Sequence, residues 1–187
     1  MVEGKIKTIC VFCGSSNACE DIYKETAYEV GVFLANEKIR LVYGGGSQGL
    51  MGEVAAAVNF FGGEVIGVVP SFFTAQDKRV KENLIVVDSM HARKQTMYSY
   101  ADAFVVLPGG IGTLEEAFEA WTWLQLGIHE KPIGFLNINN FFDSLIKFIG
   151  VMKREGFVSK RTRSLIHIDH EFERLITKLG IRQIIGD

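Results

Sequence analysis

Little in this chain points to a membrane, a metal or a polyanion. No apolar run reaches the roughly 20 residues needed to span a bilayer. There is no basic tail and no block of like charges, and the formal net charge is −2. Nucleic acid is therefore not expected as a bulk partner. The opening Met1-Val2-Glu3-Gly4-Lys5 lacks a signal-peptide pattern, so a cytoplasmic setting without membrane contact is the expectation. Cysteines are few and odd in number: Cys10, Cys13 and Cys19. An odd count argues against a disulfide framework. Cys10 and Cys13 form C-x-x-C, but positions i and i+3 of a strand face opposite ways, and both read as small buried hydrophobes. The histidines, His91, His129, His167 and His170, show no spacing suited to zinc; the last two read as surface residues. Neither metal nor cofactor is expected.

What is present is an alternation of strands and helices. The 187 residues are 48% hydrophobic and 22% charged, enough for one domain with a substantial core. Apolar runs at Lys7–Phe12, Ile39–Tyr43, Glu64–Val69, Leu84–Val87, Ala103–Leu107 and Ile133–Asn137 read as strands, with a short one at Leu165–Ile168. Helical patterns cover Ile22–Asn36, Leu50–Phe61, His91–Tyr100, Thr113–Leu126, Phe141–Arg154 and Phe172–Leu179. Ser71–Asn83 reads as a loop with a short helix. Such βαβ units imply right-handed crossovers and a parallel sheet. No linker, low-complexity stretch or repeat interrupts them. Residues 1–187 are expected to form a single α/β domain built on a parallel sheet.

The most informative stretch is Pro108-Gly109-Gly110-Ile111-Gly112-Thr113-Leu114-Glu115-Glu116. It joins a buried strand to a helix whose Leu114, Ala117, Phe118 and Trp121 recur at i, i+3, i+4, i+7. Free N–H groups and the helix dipole at such a junction attract an anion. Gly109, Gly110 and Gly112 would let a phosphate approach the backbone without a Cβ in the way. Glu115 and Glu116 stand directly behind. On this spacing Glu116 points away from the Leu114/Phe118/Trp121 stripe, toward solvent, ligand or a partner subunit. Thr113-x-x-Glu116 also reads as a capping box, in which Glu116 only satisfies a backbone N–H.

A second loop follows the second strand: Gly44-Gly45-Gly46-Ser47-Gln48-Gly49-Leu50-Met51-Gly52. It contains G-x-G-x-x-G. A dinucleotide site also wants an acid after the next strand, but that strand ends in Val69-Pro70, which disfavours NAD. No Lys-Ser or Lys-Thr follows the glycines, so the Walker pattern fails as well. A role as tight turns alone is the bland alternative. The Gly14-Ser15 turn, this loop, the Asp88–Lys94 segment and the Pro108 loop all fall at strand carboxyl ends and can converge on one cleft. Met90-His91-Ala92-Arg93-Lys94 brings two cations there, and Arg93 can pair bidentately with phosphate or hold a carboxylate. The alternative for Arg93 and Lys94 is a solvated helix start. Cations are unfavourable at that position unless something anionic is near.

GGGSQGLMG (44–52), MHARK (90–94) and PGGIGTLEE (108–116), in this order, resemble the Lonely Guy cytokinin-activating enzymes. These are nucleoside 5′-monophosphate phosphoribohydrolases whose bacterial members are often labelled lysine decarboxylase-like. Trp123–His129, Lys131–Gly134 and Gly156–Ser159 extend the likeness, which covers about residues 6–168. The resemblance implies that residues 1–187 form a single nucleotide-binding domain of Rossmann-like fold, α/β with a doubly wound parallel sheet, and that the protein is a homodimer that hydrolyses the N-glycosidic bond of AMP or an N6-modified AMP, giving free base and ribose 5-phosphate. It implies Arg93 and Glu116 as the catalytic pair. It places Gly14, Ser15, Gly44, Gly45, Gly46, Ser47, Gly49, Met90, Lys94, Gly109, Gly110, Gly112 and Thr113 around the substrate and its phosphate. Tyr98, Trp121, Trp123 and Leu126 are expected to add apolar surface for dimerisation. Decarboxylation has little physical support, because a pyridoxal enzyme needs a Schiff-base lysine in a developed cofactor pocket. The competing expectation is a non-catalytic carrier or sensor of a nucleotide or molybdopterin-type cofactor on the same fold.

Overall fold

The structure, a computed structural model, describes residues 6–74 and 84–180. Seven strands form one sheet: β1 (Thr8–Phe12), β2 (Arg40–Tyr43), β3 (Val65–Pro70), β4 (Leu84–Val87), β5 (Ala103–Val106), β6 (Ile133–Leu136) and β7 (Ile166–Asp169). Every neighbouring pair is parallel, and the spatial order is β4-β3-β2-β1-β5-β6-β7. The helices are α1 (Asp21–Asn36), α2 (Gly49–Phe60), α3 (Ser71–Thr74), α4 (Met90–Tyr100), α5 (Ile111–Gln125), α6 (Asp143–Arg154), α7 (Lys160–Ser164) and α8 (Phe172–Lys178).

Period-two alternation along the strands builds two cores. Ile9, Val11 and Cys13 face Val30 and Leu34 of α1, Val54 and Val58 of α2 and Leu175 of α8. Cys10 and Phe12 face the opposite way, with Met97 of α4, Ala117 and Trp121 of α5 and Ile149 of α6. The two C-x-x-C cysteines thus lie on opposite faces of the sheet, as strand geometry demands. With helices on both faces the central strands need no polar side, and all residues of β1, β5 and β6 are buried. Phe12 and Phe104 stack at 5.6 Å in the second core. Each contributes about 2–3 kcal/mol through burial.

The chain winds from β1 outward to β4 and then returns to add β5 on the other side of β1. The connections after β1 and β5 therefore leave in opposite directions. Their divergence opens a crevice at the carboxyl edge, where doubly wound sheets bind ligands. Helix α7 had no counterpart among the expected elements. Of the expected Ser71–Asn83 loop with a short helix, α3 is its first turn and residues 75–83 lie outside the described residues. Three residues expected to add apolar surface outward pack inward: Tyr98 and Trp121 are core residues, and Trp123, partly buried, packs against the same cluster. Leu126 is exposed.

Candidate active site

Three loops at the carboxyl edge are joined by backbone bonds. The Gly14 N–H donates to the Pro108 carbonyl at 3.0 Å, tying the β1 and β5 loops together. The Met51 N–H donates to the Gly14 carbonyl at 3.3 Å, and the Gly49 N–H to Asn17 Oδ1 at 2.7 Å. These two donors belong to the first turn of α2, so the β1–α1 loop takes up donors that the sequence offered to a phosphate. Gly49 has φ +57°, and a Cβ there would lie 2.6 Å from the Ser15 carbonyl carbon and 2.7 Å from the Ser16 oxygen. A side chain at Gly49 is thus barred twice, by backbone angle and by contact.

The β5–α5 junction differs. The N-cap of α5 is Gly110, whose backbone is extended and which makes no capping side-chain bond. The N–H groups of Ile111, Gly112 and Thr113 occupy the first turn, where no carbonyl of the helix reaches them. Gly110 and Gly112 have open space where a Cβ would stand. The capping box is absent, because the helix starts at Ile111 and Thr113 is already its third residue. Thr113 is buried, and its hydroxyl packs where a Gly109 side chain would be.

Helix α4 begins where it does because Ser89 Oγ accepts the Ala92 N–H at 3.1 Å. That N-cap puts Arg93, Lys94, Met97 and Tyr98 on one buried face at i, i+1, i+4, i+5. The solvated helix start is therefore overturned: Arg93 and Lys94 are each only 7% exposed. Anions account for it. Arg93 Nη1 donates to Glu116 Oε1 at 2.7 Å, and Arg93 Nε donates to the Val68 carbonyl at 3.0 Å. Lys94 Nζ bonds Glu115 Oε1, and Glu119 Oε1 at 3.0 Å. Tyr98 lies beneath, its hydroxyl 3.1 Å from the Glu116 carbonyl and 2.9 Å from Glu119 Oε2.

Glu116 itself is a correction. The buried face of α5 is Thr113, Glu116, Ala117, Ala120 and Trp121, while Leu114 and Phe118 are only partly buried. Apolar spacing set the face up to one residue too far round the helix, about 100°, and of solvent, ligand or a partner subunit as the direction of Glu116, solvent is excluded. It is 9% exposed. Burial pushes its carboxyl above the ordinary value. The Arg93 charge and hydrogen bond pull it down, the neighbouring Glu115 pushes it up, and burial prevails. For Lys94, burial lowers the ammonium, but the hydrogen bonds and charges of Glu115 and Glu119 outweigh it and the net shift is upward.

Of the sequence-predicted residues, the structure joins Arg93 to Glu116 and to Gly44, Gly14 to Gly109, Gly109 to Thr113, and Lys94 to the neighbours of Glu116. Ser15, Ser47 and Met90 are exposed at the same edge. Asn17, Ser89, Tyr98 and Glu119 were missed as site-building residues. Ser89 carried a legible signal, an N-cap residue type just ahead of the helical pattern. Asn17, Tyr98 and Glu119 carried none, since their partners lie on other elements. Among the described residues no cluster of His, Cys, Asp and Glu is placed to hold a metal ion, and no helix is long and apolar enough to cross a membrane.

An anion-receptive glycine loop at the switch point of a doubly wound sheet, backed by a buried acid–cation pair, defines a nucleotide-handling α/β protein. A family model described as "Possible lysine decarboxylase" matches residues 51–179. The cytokinin riboside 5′-monophosphate phosphoribohydrolase LOG1 of Arabidopsis thaliana is 46% identical over 181 residues, which are 95% of this chain and 84% of that protein. LOG4 of the same plant, of the same name otherwise, is 45% identical over 182 residues, 96% of this chain and 84% of that protein. The chain belongs to this phosphoribohydrolase family. Among solved structures, a molybdenum cofactor binding protein from Rippkaea orientalis superposes with TM-score 0.68 at 22% identity, covering 92% of this chain and 94% of that one. A Moco carrier protein from Chlamydomonas reinhardtii does so with TM-score 0.66 at 22% identity, covering 92% and 98%. At that identity the likeness shows the shared fold.

Proposed function

We propose that this protein hydrolyses the N-glycosidic bond of nucleoside 5′-monophosphates of the AMP and cytokinin-nucleotide type, releasing the free base and ribose 5-phosphate. The buried Arg93–Glu116 pair behind the open Gly110–Thr113 donors is the observation that carries this reading, and the named relatives support it. The 5′-phosphate docks on the N–H groups at the start of α5. That directs the ribose along the helix toward Glu116, about 6 Å further up the axis. Water adds at C1′, the C1′–N bond breaks, its electrons pass to the base and the base takes up a proton. The transition state resembles an oxocarbenium ion, as in glycoside hydrolysis. The Glu116 carboxylate stabilises that charge or receives the proton of the attacking water; its raised pKa makes it the stronger base for the second task. Arg93 holds the carboxylate in place, and its charge favours the ionised form against the cost of burial.

The homodimer and the cytoplasmic setting belong to the same proposal. The exposed Ile111, Leu126 and Ile128 along and beyond α5 favour an apolar contact there. Light scattering showing a monomer at working concentration would remove the dimer. The activity is tested with purified protein, AMP and adenosine, following free adenine. AMP is expected to be cleaved and adenosine to be a poor substrate. Equal kcat/KM for the two would remove the phosphate-docking step, and no adenine from any nucleoside monophosphate would leave a carrier.

A further inference from the structure

The glycine-rich loop of residues 44–49 is not used by that mechanism, because the β1–α1 loop already occupies donors of α2. Its first glycine has a different neighbour. The Arg93 guanidinium is bonded at two nitrogens and confined at the third. Nε donates to the Val68 carbonyl of β3, Nη1 donates to Glu116 of α5, and Nη2 lies against Gly44, at the end of β2. A Cβ on Gly44 would overlap Nη2 outright, stand 3.0 Å from Cζ and 3.2 Å from Met51 Sδ. A guanidinium is planar and rigid. With Nε fixed on Val68, pushing Nη2 aside swings Nη1 away from Glu116. We infer that Gly44 is a positioning residue for Arg93: the missing side chain is the seat that lets the guanidinium reach Glu116, and this glycine serves the acid–cation pair and not the phosphate. The inference rests on the hydrolase reading above and deepens it.

The obstructed atoms at Gly44 are the far ends of two flexible side chains, Arg93 and Met51, and no backbone atom. Its φ is outside the left-handed region, unlike those of Gly45 and Gly49. Gly44→Ala should therefore fold, with Arg93 yielding and the backbone in place. Misplacing a reacting group by about 1 Å costs on the order of 10²-fold in rate.

The experiment compares wild type, Gly44→Ala, Arg93→Ala and the double variant, using AMP hydrolysis, calorimetric binding of ribose 5-phosphate and crystallography of Gly44→Ala. Expected for Gly44→Ala is a fall in kcat of about 10²-fold, with affinity for ribose 5-phosphate kept within about threefold, under 1 kcal/mol. In the Arg93→Ala background the same substitution should change kcat less than about twofold, because two changes acting through one group are not additive. Loss of ribose 5-phosphate affinity at unchanged kcat would overturn the inference and return Gly44 to the phosphate. So would a full further loss of rate in the double variant. If the wild type cleaves no nucleotide, the hydrolase reading fails on its own. The seat is then judged by the crystal structure, where Arg93 Nη1 still bonded to Glu116 beside Ala at 44 would overturn it.

Discussion

The two glycine loops at the carboxyl edge look alike in sequence and behave differently in the fold. In the β2–α2 loop the chain consumes its own donors: Gly49 and Met51 give their N–H groups to the β1–α1 loop, and Gly44 lies under Arg93. In the β5–α5 loop the first-turn donors have no helix carbonyl to meet, and Gly110 and Gly112 border open space. One loop is a brace, and the other is the proposed receptor. A glycine repeat therefore says that backbones or ligands come close, without saying which.

Several changes sharpen or break this contrast. The largest effect belongs to the pair that the brace supports. Glu116→Gln keeps shape and removes charge, and kcat for AMP should fall ~10²-fold or more, the scale of one preorganised electrostatic group. Its melting temperature should hold or rise, because burial already favours the neutral carboxyl. Arg93→Ala should lose comparable rate and also about 3 kcal/mol of stability at neutral pH, since it leaves Glu116 buried without its cation. Denaturant titration beside steady-state kinetics measures both. A fully active Glu116→Gln enzyme would end the catalytic assignment.

Next come the loops themselves. Gly110→Ala has room in the protein, so its melting temperature should stay put, while KM for AMP rises about tenfold, or 1.4 kcal/mol. Gly49→Ala should do the reverse, losing about 2 kcal/mol of stability through its left-handed backbone and its clash with Ser15 and Ser16, with KM kept. A stable Gly49→Ala protein with a raised KM would make both loops receptors.

Acidity gives a subtler test. The Glu116 carboxyl titrates above its ordinary value of 4.5. The folded chain thus holds this proton more tightly than the unfolded chain. The corresponding stability is complete below the unfolded value and is lost as pH rises through the folded one. Turnover that needs the carboxylate moves oppositely and grows over the same interval. The acid limb of kcat/KM should therefore lie above the usual carboxylate range. A limb at or below 4.5 would assign it to another group. The smallest effect is expected at Glu115, which is half-exposed and pairs with Lys94: Glu115→Gln should change kcat less than about threefold, a modest electrostatic change at a partly solvated site.

Most of the sheet was legible in the sequence, because its strands are apolar runs, the central ones buried on both sides, and each strand boundary fell within two residues. Helix α7 was not, since Lys-Arg-Thr-Arg-Ser has no apolar period to read. The face of α5 was misread for a physical reason. Periodicity weighs apolar side chains, but this helix buries a carboxylate whose counter-charge lies on α4. The capping box failed for a related reason: the helix gains two residues ahead of Thr113, where Gly110 supplies the extended turn. Motif composition located the edge of the sheet. Which cation meets which acid is a contact between residues 23 positions apart, and no local pattern encodes it.

The two buried thiols acquire a use of their own. Cys10 and Cys13 lie on opposite faces of the central strand, almost wholly excluded from water, and burial with the Glu116 charge pushes both thiols up. While the sheet is closed they are poor nucleophiles toward an alkylating reagent, whereas Cys19 is partly exposed. The chain thus carries its own stopwatch: one thiol labels on contact with reagent, and the other two record how often the centre of the molecule opens, one on each side.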